Sequence, residues 1–169
     1  LSTRPCSIVQ FSSMGGRVGG SPSIASYQAA KFAIDGFSRV LRAETAPFGV
    51  KVLVVEPSGF RTDWAGSSMT VHDVPEGYED TVGAINRRIR QSTEGPAGDP
   101  VRAAEILVRM ARRSDIPTNL ALGVMASEGS IDESRRLLAQ DGRWSAISRS
   151  ADFAEPYPLA FPEDTSLAR

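Results

Sequence analysis

Two apolar, β-branched segments, Cys6–Phe11 (CSIVQF) and Lys51–Glu56 (KVLVVE), bracket a long stretch with helical periodicity. Neither segment alternates apolar with polar residues, which suits parallel strands covered on both faces. From Ile24 to about Ala46, the residues Ala30, Ala33, Ile34, Phe37, Val40 and Leu41 recur at three- and four-residue spacing. That spacing predicts a helix with this face turned inward. Pro22 and Ser23 open it, with Ser23 as the N-cap, and Pro47 and Gly49 end it. Strand, helix and strand joined by short connections make a βαβ unit, and a βαβ unit requires parallel strands. The chain is therefore read as an α/β protein.

The remaining elements follow from the same signals. Residues 57–100 form a long polar stretch that predicts a functional loop with a short helix over Tyr78–Gln91. Asp99-Pro100 opens another helix that runs through Met110 and Ala111. Asn119–Val124 is read as a third strand and Ile131–Ile147 as a last helix. Residues 1–153 are taken as one domain, and 154–169 as an extended or disordered, proline-bearing tail. Almost nothing precedes the Cys6 strand to pair with it, and the chain has no initiator Met. It is accordingly read as beginning inside a domain.

Composition narrows the function classes. Nineteen Lys and Arg against 20 Asp and Glu leave a formal charge of −1, so no field attracts nucleic acid or an anionic membrane. A single cysteine, Cys6, cannot form an internal disulfide, which points to a reducing, cytoplasmic setting. No apolar run approaches a membrane span of about 20 residues. No metal-ligand cluster surrounds His72, the sole histidine, which reads as a surface side chain.

The chemistry concentrates at Ser13, Tyr27 and Lys31. Tyr27 and Lys31 are four apart, so on a helix they share a face. A phenol in water gives up its proton only near pH 10, and a neighbouring ammonium stabilises the phenolate, creating a general acid/base. A bare Tyr-x-x-x-Lys is most often an ordinary pair on a helix boundary, so position decides. Ser12-Ser13 ends one strand and Pro57-Ser58-Gly59 ends the next. Both fall at the carboxyl edge of the sheet, where open α/β sheets place their ligands. There the Ser13 hydroxyl can hold a substrate oxygen while Tyr27 gives or takes its proton.

Three ordered motifs carry a resemblance: Ile8-Val9-Gln10-Phe11-Ser12-Ser13-Met14-Gly15-Gly16, Ser26-Tyr27-Gln28-Ala29-Ala30-Lys31, and Val54-Val55-Glu56-Pro57-Ser58-Gly59-Phe60-Arg61-Thr62-Asp63. Together they resemble the short-chain dehydrogenase/reductase family, tightly over about residues 6–64 and loosely to about Phe153. The resemblance implies a partial Rossmann-like parallel sheet of three strands with flanking helices, the C-terminal half of a doubly wound domain. It implies an NAD- or NADP-dependent oxidoreductase that interconverts a small-molecule alcohol and carbonyl. Ser13 would orient the substrate, and Tyr27 would be the general acid/base. Lys31 would tune Tyr27 and bind the nicotinamide ribose. Tyr27, Lys31, Pro57, Gly59, Phe60 and Thr62 would contact the cofactor.

Three departures accompany the resemblance. Ser58 intervenes where the family has Pro-Gly adjacent, and it would be strained if that position requires positive φ. The Ser13-to-Tyr27 interval is one residue longer than the commonest spacing. The glycine-rich phosphate turn, the Asn-Asn-Ala-Gly segment and the upstream catalytic asparagine have no counterpart, which would leave the Ser7–Ser12 strand with an open edge.

Other residues divide between function and packing. Trp64 and Met69 follow the third motif and either line the substrate pocket or pack within a loop. Arg87, Arg88 and Arg90, and Arg112 with Arg113, read as solvated helix charges. Ala29, Phe32, Gly36, Val40 and Ala43 give the Tyr27 helix a second, small-residue face. In the resembling family this helix packs against its mate, implying a homodimer or homotetramer; packing within the subunit is the alternative. Two rival readings of the whole remain: a truncated, non-catalytic fragment or interaction module, and a nucleotide-sugar epimerase or dehydratase. The short Pro-Ser-Gly-Phe-Arg-Thr segment argues against the latter.

Overall fold

A computed structural model of the chain describes residues 6–65, 70, 72–91, 95–157 and 161–163. Met69 lies outside the described residues, as do the side chains of Arg90 and Gln91. The chain forms two compact units, Leu1–Ser130 and Ile131–Arg169.

The first unit is built on the predicted βαβ core. Strand β1 is Cys6–Phe11, helix α1 is Ala25–Thr45, and strand β2 is Val50–Pro57. A π-helical turn, Glu79–Gly83, leads into α2, Ala84–Gln91, and then comes α3, Pro100–Ala111. Strand β3, Asn119–Leu122, precedes α4, Val124–Arg149. The sheet is parallel throughout in the order β1-β2-β3, with Ile8 opposite Val52 and Val54 opposite Asn119.

The central strand holds the core. Val52, Leu53, Val54 and Val55 are all buried, each worth about 2 kcal/mol in removed apolar surface. Leu53 and Val55 join Leu122 on one face, packed by Ala103, Leu107 and Met110 of α3. Successive strand residues point to opposite faces, which turns Val52, Val54 and Glu56 to the other side.

Three expectations change. The predicted inward face of α1 is largely its outward face, with Phe37 59% and Val40 56% exposed and Ala30 and Ala33 exposed as well. The buried or half-buried positions are Tyr27, Gln28, Lys31, Ile34, Asp35, Ser38, Leu41, Arg42 and Thr45. Specific hydrogen bonds hold this mostly polar stripe. The Arg42 guanidinium donates to Val52 O at 3.2 Å and Thr118 O at 2.9 Å, and Ser38 Oγ donates to Ile34 O at 2.7 Å. Hydrophobic periodicity marked an apolar stripe correctly but assigned it the wrong side.

Ser23 is not the N-cap of α1. Ile24 holds that position without a side-chain cap, and Ser23 adopts φ 76, the left-handed region, at a cost of about 1 kcal/mol. The last helix begins at Val124, not Ile131, because Gly123 at φ 95 turns the chain straight out of β3. By contrast, Asp99 caps α3 as its sequence indicates, accepting from the amides of Val101 and Arg102.

The second unit comprises the rest of α4 and the segment after it. Arg149 pairs with Glu155, and Arg143 donates to the Glu163 carbonyl. Residues 154–157 and 161–163 are in neither helix nor strand.

Candidate active site

The end of β1 sets the site. Ser12 and Ser13 are adjacent, yet extended backbone points them to different tasks. Ser12 is only 4% exposed, and its hydroxyl donates to the Lys31 carbonyl at 2.8 Å, docking α1 onto the strand end. Ser13 caps the short 3₁₀ turn Met14–Gly16, its oxygen accepting from the Gly15 amide at 3.1 Å. That bond occupies a lone pair and leaves the Ser13 O–H to donate elsewhere.

Gly15 brings serine and tyrosine together. A Cβ built there would lie 3.5 Å from Ser13 Oγ and 3.6 Å from Tyr27 Cε1, so the two side chains flank the same small residue. Gly16 permits the underlying packing, since a Cβ there would fall 2.4 Å from Ser12 Oγ and 2.7 Å from the Lys31 carbonyl carbon.

Tyr27 and Lys31 share a face of α1. The Lys31 ammonium stands 5.7 Å from the centre of the Tyr27 ring and donates to Phe11 O at 3.0 Å. The Trp64 ring lies 5.7 Å from the Tyr27 ring at an interplanar angle of 58°. Gln28, beside them, is buried with its Nε2 lacking a hydrogen-bond partner.

The third motif leaves β2 on the same edge. Ser58 N donates to Leu122 O at 2.9 Å, and the Ser58 side chain sits where a Cβ on Gly123 would clash. Ser58 is not at positive φ; among described residues Ser23 is the sole non-glycine there. Phe60 pairs with Gly98 in an isolated bridge and packs its ring on the Leu53–Val55–Leu122 core. Thr62 Oγ1 donates to Phe60 O at 3.5 Å, a long contact, and Gly59 approaches Pro96 closely. Pro57 ends the strand half-buried.

A polar network absent from the sequence reading ties these motifs together. Glu56, 2% exposed, accepts from Asn119 Nδ2 at 2.7 Å and pairs with Arg17 at 3.5 Å. The same Asn119 amide donates to Asp35 Oδ1 at 2.7 Å, and Arg39 pairs with Asp35 at 2.8 Å. Burial pushes the Asp35 carboxyl up. The Asn119 and Arg39 hydrogen bonds, with the charges of Arg39 and Arg17, outweigh that and hold it below its ordinary value. One sequence signal pointed here: an acid ending an apolar strand and an arginine alone in a glycine-rich turn.

Among the described residues no group of three or more His, Cys, Asp and Glu side chains is placed to hold a metal ion. No described helix is long and apolar enough to cross a membrane. The donors around Tyr27 are hydroxyl, ammonium and amide N–H. They suit a carbonyl or alcohol oxygen and the hydroxyls of a ribose, so the residues present fit the nicotinamide end of a dinucleotide.

The chain is similar to known oxidoreductases. The short chain dehydrogenase family model matches residues 2–71. Oxidoreductase BOA17 of Botryotinia fuckeliana is 43% identical over 141 residues, covering 83% of this chain and 51% of that protein. The uncharacterized oxidoreductase C162.03 of Schizosaccharomyces pombe is 34% identical over 121 residues, covering 69% and 39%. A short-chain dehydrogenase from Streptomyces avermitilis superposes with a TM-score of 0.73 at 32% identity, over 86% of this chain and 52% of that one. The chain thus spans about half the length of the first of these relatives. The parallel three-stranded sheet with flanking helices matches the Rossmann-like architecture implied by the motifs. With its three ordered motifs converging on one sheet edge, this chain belongs to the short-chain dehydrogenase/reductase family.

Proposed function

We propose that this chain carries the acid–base part of an NAD- or NADP-dependent oxidoreductase that interconverts an alcohol and a carbonyl. One observation carries the reading: Ser13 Oγ and the Tyr27 ring flank Gly15, and the Lys31 ammonium stands beside that ring. In the reducing direction the Ser13 hydroxyl donates to the substrate carbonyl oxygen. The Tyr27 phenol then hands its proton to that oxygen as negative charge develops on it. Lys31 opposes the charge left on the phenol oxygen, and its N–H groups not used by Phe11 would hold ribose hydroxyls of the cofactor. The chemistry a nicotinamide would supply when bound there is hydride transfer to or from the substrate carbon. Pro57, Gly59 and Thr62 would border the nicotinamide, while Phe60, its ring committed to the core, would contribute backbone.

The chain spans about half the length of the relative from Botryotinia fuckeliana, and the resemblance implies a phosphate-binding turn ahead of β1, so the test uses an N-terminally extended form. Tyr27→Phe in that form abolishes carbonyl reduction while the circular dichroism spectrum is retained. Undiminished turnover would overturn the assignment. A second reading, a non-catalytic interaction module, draws on the exposed apolar face of α1 at Phe32, Phe37 and Val40. Nicotinamide binding and turnover by the extended form exclude it. On the oxidoreductase reading, the same α1 face serves a homodimer or homotetramer.

A further inference from the structure

The chain around Gly59 and the chain around Gly98 meet at one point of the sheet edge. Gly98 N donates to Gly59 O at 3.0 Å, Arg61 N donates to Gly98 O at 2.9 Å, and Arg61 Nε donates to Pro96 O at 3.0 Å. This junction fixes Gly59 and Gly98 to each other and leaves Trp64 and α2, which lie between them in sequence, to be held by other contacts. Among the described residues, Trp64 and α2 each make such a contact at the N-terminal end of α1. Trp64 stands against the Tyr27 ring. Ser23 Oγ donates to Asn86 Oδ1 of α2 at 2.8 Å across 63 residues of sequence.

The Ser23 contact is unusual in both partners. Ser23 lies in the left-handed region, the one described non-glycine residue there. A strained backbone persists only where its surroundings over-determine it. Asn86 is a polar residue only 9% exposed on a short helix of otherwise amphipathic pattern. A π-helical turn immediately precedes that helix, a local widening of the helix of the kind that re-aims side chains. Val82, Ile85 and Ile89 share the half-buried side of this segment with Asn86.

We propose that Ser23 and Asn86 are a positioning pair that fixes α2 against the entrance to the Tyr27 helix. The pair thereby sets the space left for substrate between Tyr27, Trp64 and α2. The strained φ aims the Ser23 hydroxyl at α2, and the buried amide receives it. The catalytic meaning of the pair rests on the reading of Tyr27 as the proton donor; its structural content does not.

The test uses Ser23→Ala, Ser23→Gly, Asn86→Ala and the double variant Ser23→Ala/Asn86→Ala. Hydrogen exchange of residues 79–91 quickens roughly five- to tenfold in each single variant, as loss of one hydrogen bond allows, while exchange in β2 is unchanged. Ser23→Gly is the informative case, because glycine relieves the strain, so thermal stability holds or rises even as α2 loosens. In a Trp144→Phe background, Trp64 is the sole tryptophan, and its quenching by acrylamide increases in the same variants. The double variant exchanges no faster than either single one. Unchanged exchange in Ser23→Ala and Asn86→Ala, or additive effects in the double variant, overturns the pair. Faster exchange with unaltered Trp64 quenching shows a merely structural bond and also overturns it. If exchange and quenching both respond but Tyr27→Phe still turns over, the pair stands and the oxidoreductase reading falls.

Discussion

Lys31 is tied to the end of β1 at both its ends: its ammonium donates to Phe11 O at 3.0 Å, and its own carbonyl accepts from Ser12 Oγ at 2.8 Å. A lysine otherwise has a long, mobile stem and a strongly hydrated charge. Anchored this way, its charge is held beside the Tyr27 ring, as the proposed proton transfer requires. Lys31→Met keeps the stem and the backbone bond but removes the charge. Turnover by the extended form falls by about a hundredfold or more, the usual scale for lost acid–base support. The midpoint of thermal unfolding changes little, because the ammonium bond is at an exposed position. A lysine serving only to dock the helix would give the opposite pattern, checked by pairing steady-state rates with calorimetry.

The two adjacent serines separate stability from chemistry. Ser12→Ala deletes a buried hydroxyl and leaves the Lys31 carbonyl without its side-chain donor. It costs about 1–2 kcal/mol in chemical denaturation. Ser13→Ala removes a turn cap, costing less than about 1 kcal/mol. It lowers turnover by about a hundredfold, the effect of losing one donor to a developing oxyanion. Equal effects of both substitutions on rate would contradict the assignment of Ser13 alone to the substrate.

Three glycines respond differently to alanine, because the space around each differs. Gly16→Ala forces Cβ against Ser12 Oγ and the Lys31 backbone and destabilises by about 1–3 kcal/mol. Gly36→Ala, in the face of α1 that is open in the single chain with nothing within 4 Å, stabilises the monomer by about 0.5–1 kcal/mol. Gly15→Ala meets only ordinary contacts, so the fold survives, but its methyl enters the gap between Ser13 and Tyr27. Turnover then drops while urea midpoints do not. A Gly15→Ala protein as active as its parent would mean that substrate does not bind in that gap.

The βαβ frame was legible because apolar runs and helical spacing are local, and the grouping of Ser13, Tyr27 and Lys31 at one sheet edge was legible because their motifs are contiguous. Asp99 likewise announced α3. The orientation of α1 was not. Its inward stripe of Lys31, Asp35, Ser38 and Arg42 is satisfied by partners as distant as Thr118 and Asn119, which no local window can see. Hydrophobicity then favoured Ala30, Ala33 and Phe37, the face that is exposed. Ser23 failed for a related reason. A serine before a helix usually caps it, yet here its hydroxyl is claimed by Asn86 on a different element.

The Asp35–Asn119–Glu56 network makes a prediction about acid stability whose sign can be worked out. Asp35 binds its proton less readily folded than unfolded, since Asn119, Arg39 and Arg17 together outweigh burial. The unfolded chain therefore takes up more protons as acid is added. The stabilisation is complete above the unfolded value of about 3.8 and is lost as pH falls through the lower folded value. Asp35→Asn keeps the shape and an acceptor for Asn119 but removes the charge that Arg39 faces. The variant is less stable than its parent at pH 6–7, and the difference shrinks below about pH 4, where the parent carboxylate becomes protonated. Urea midpoints measured from pH 2.5 to 7 at constant ionic strength test this. A difference that stays constant across that window would mean that the contribution of Asp35 is steric and hydrogen-bonding, with no part played by its charge.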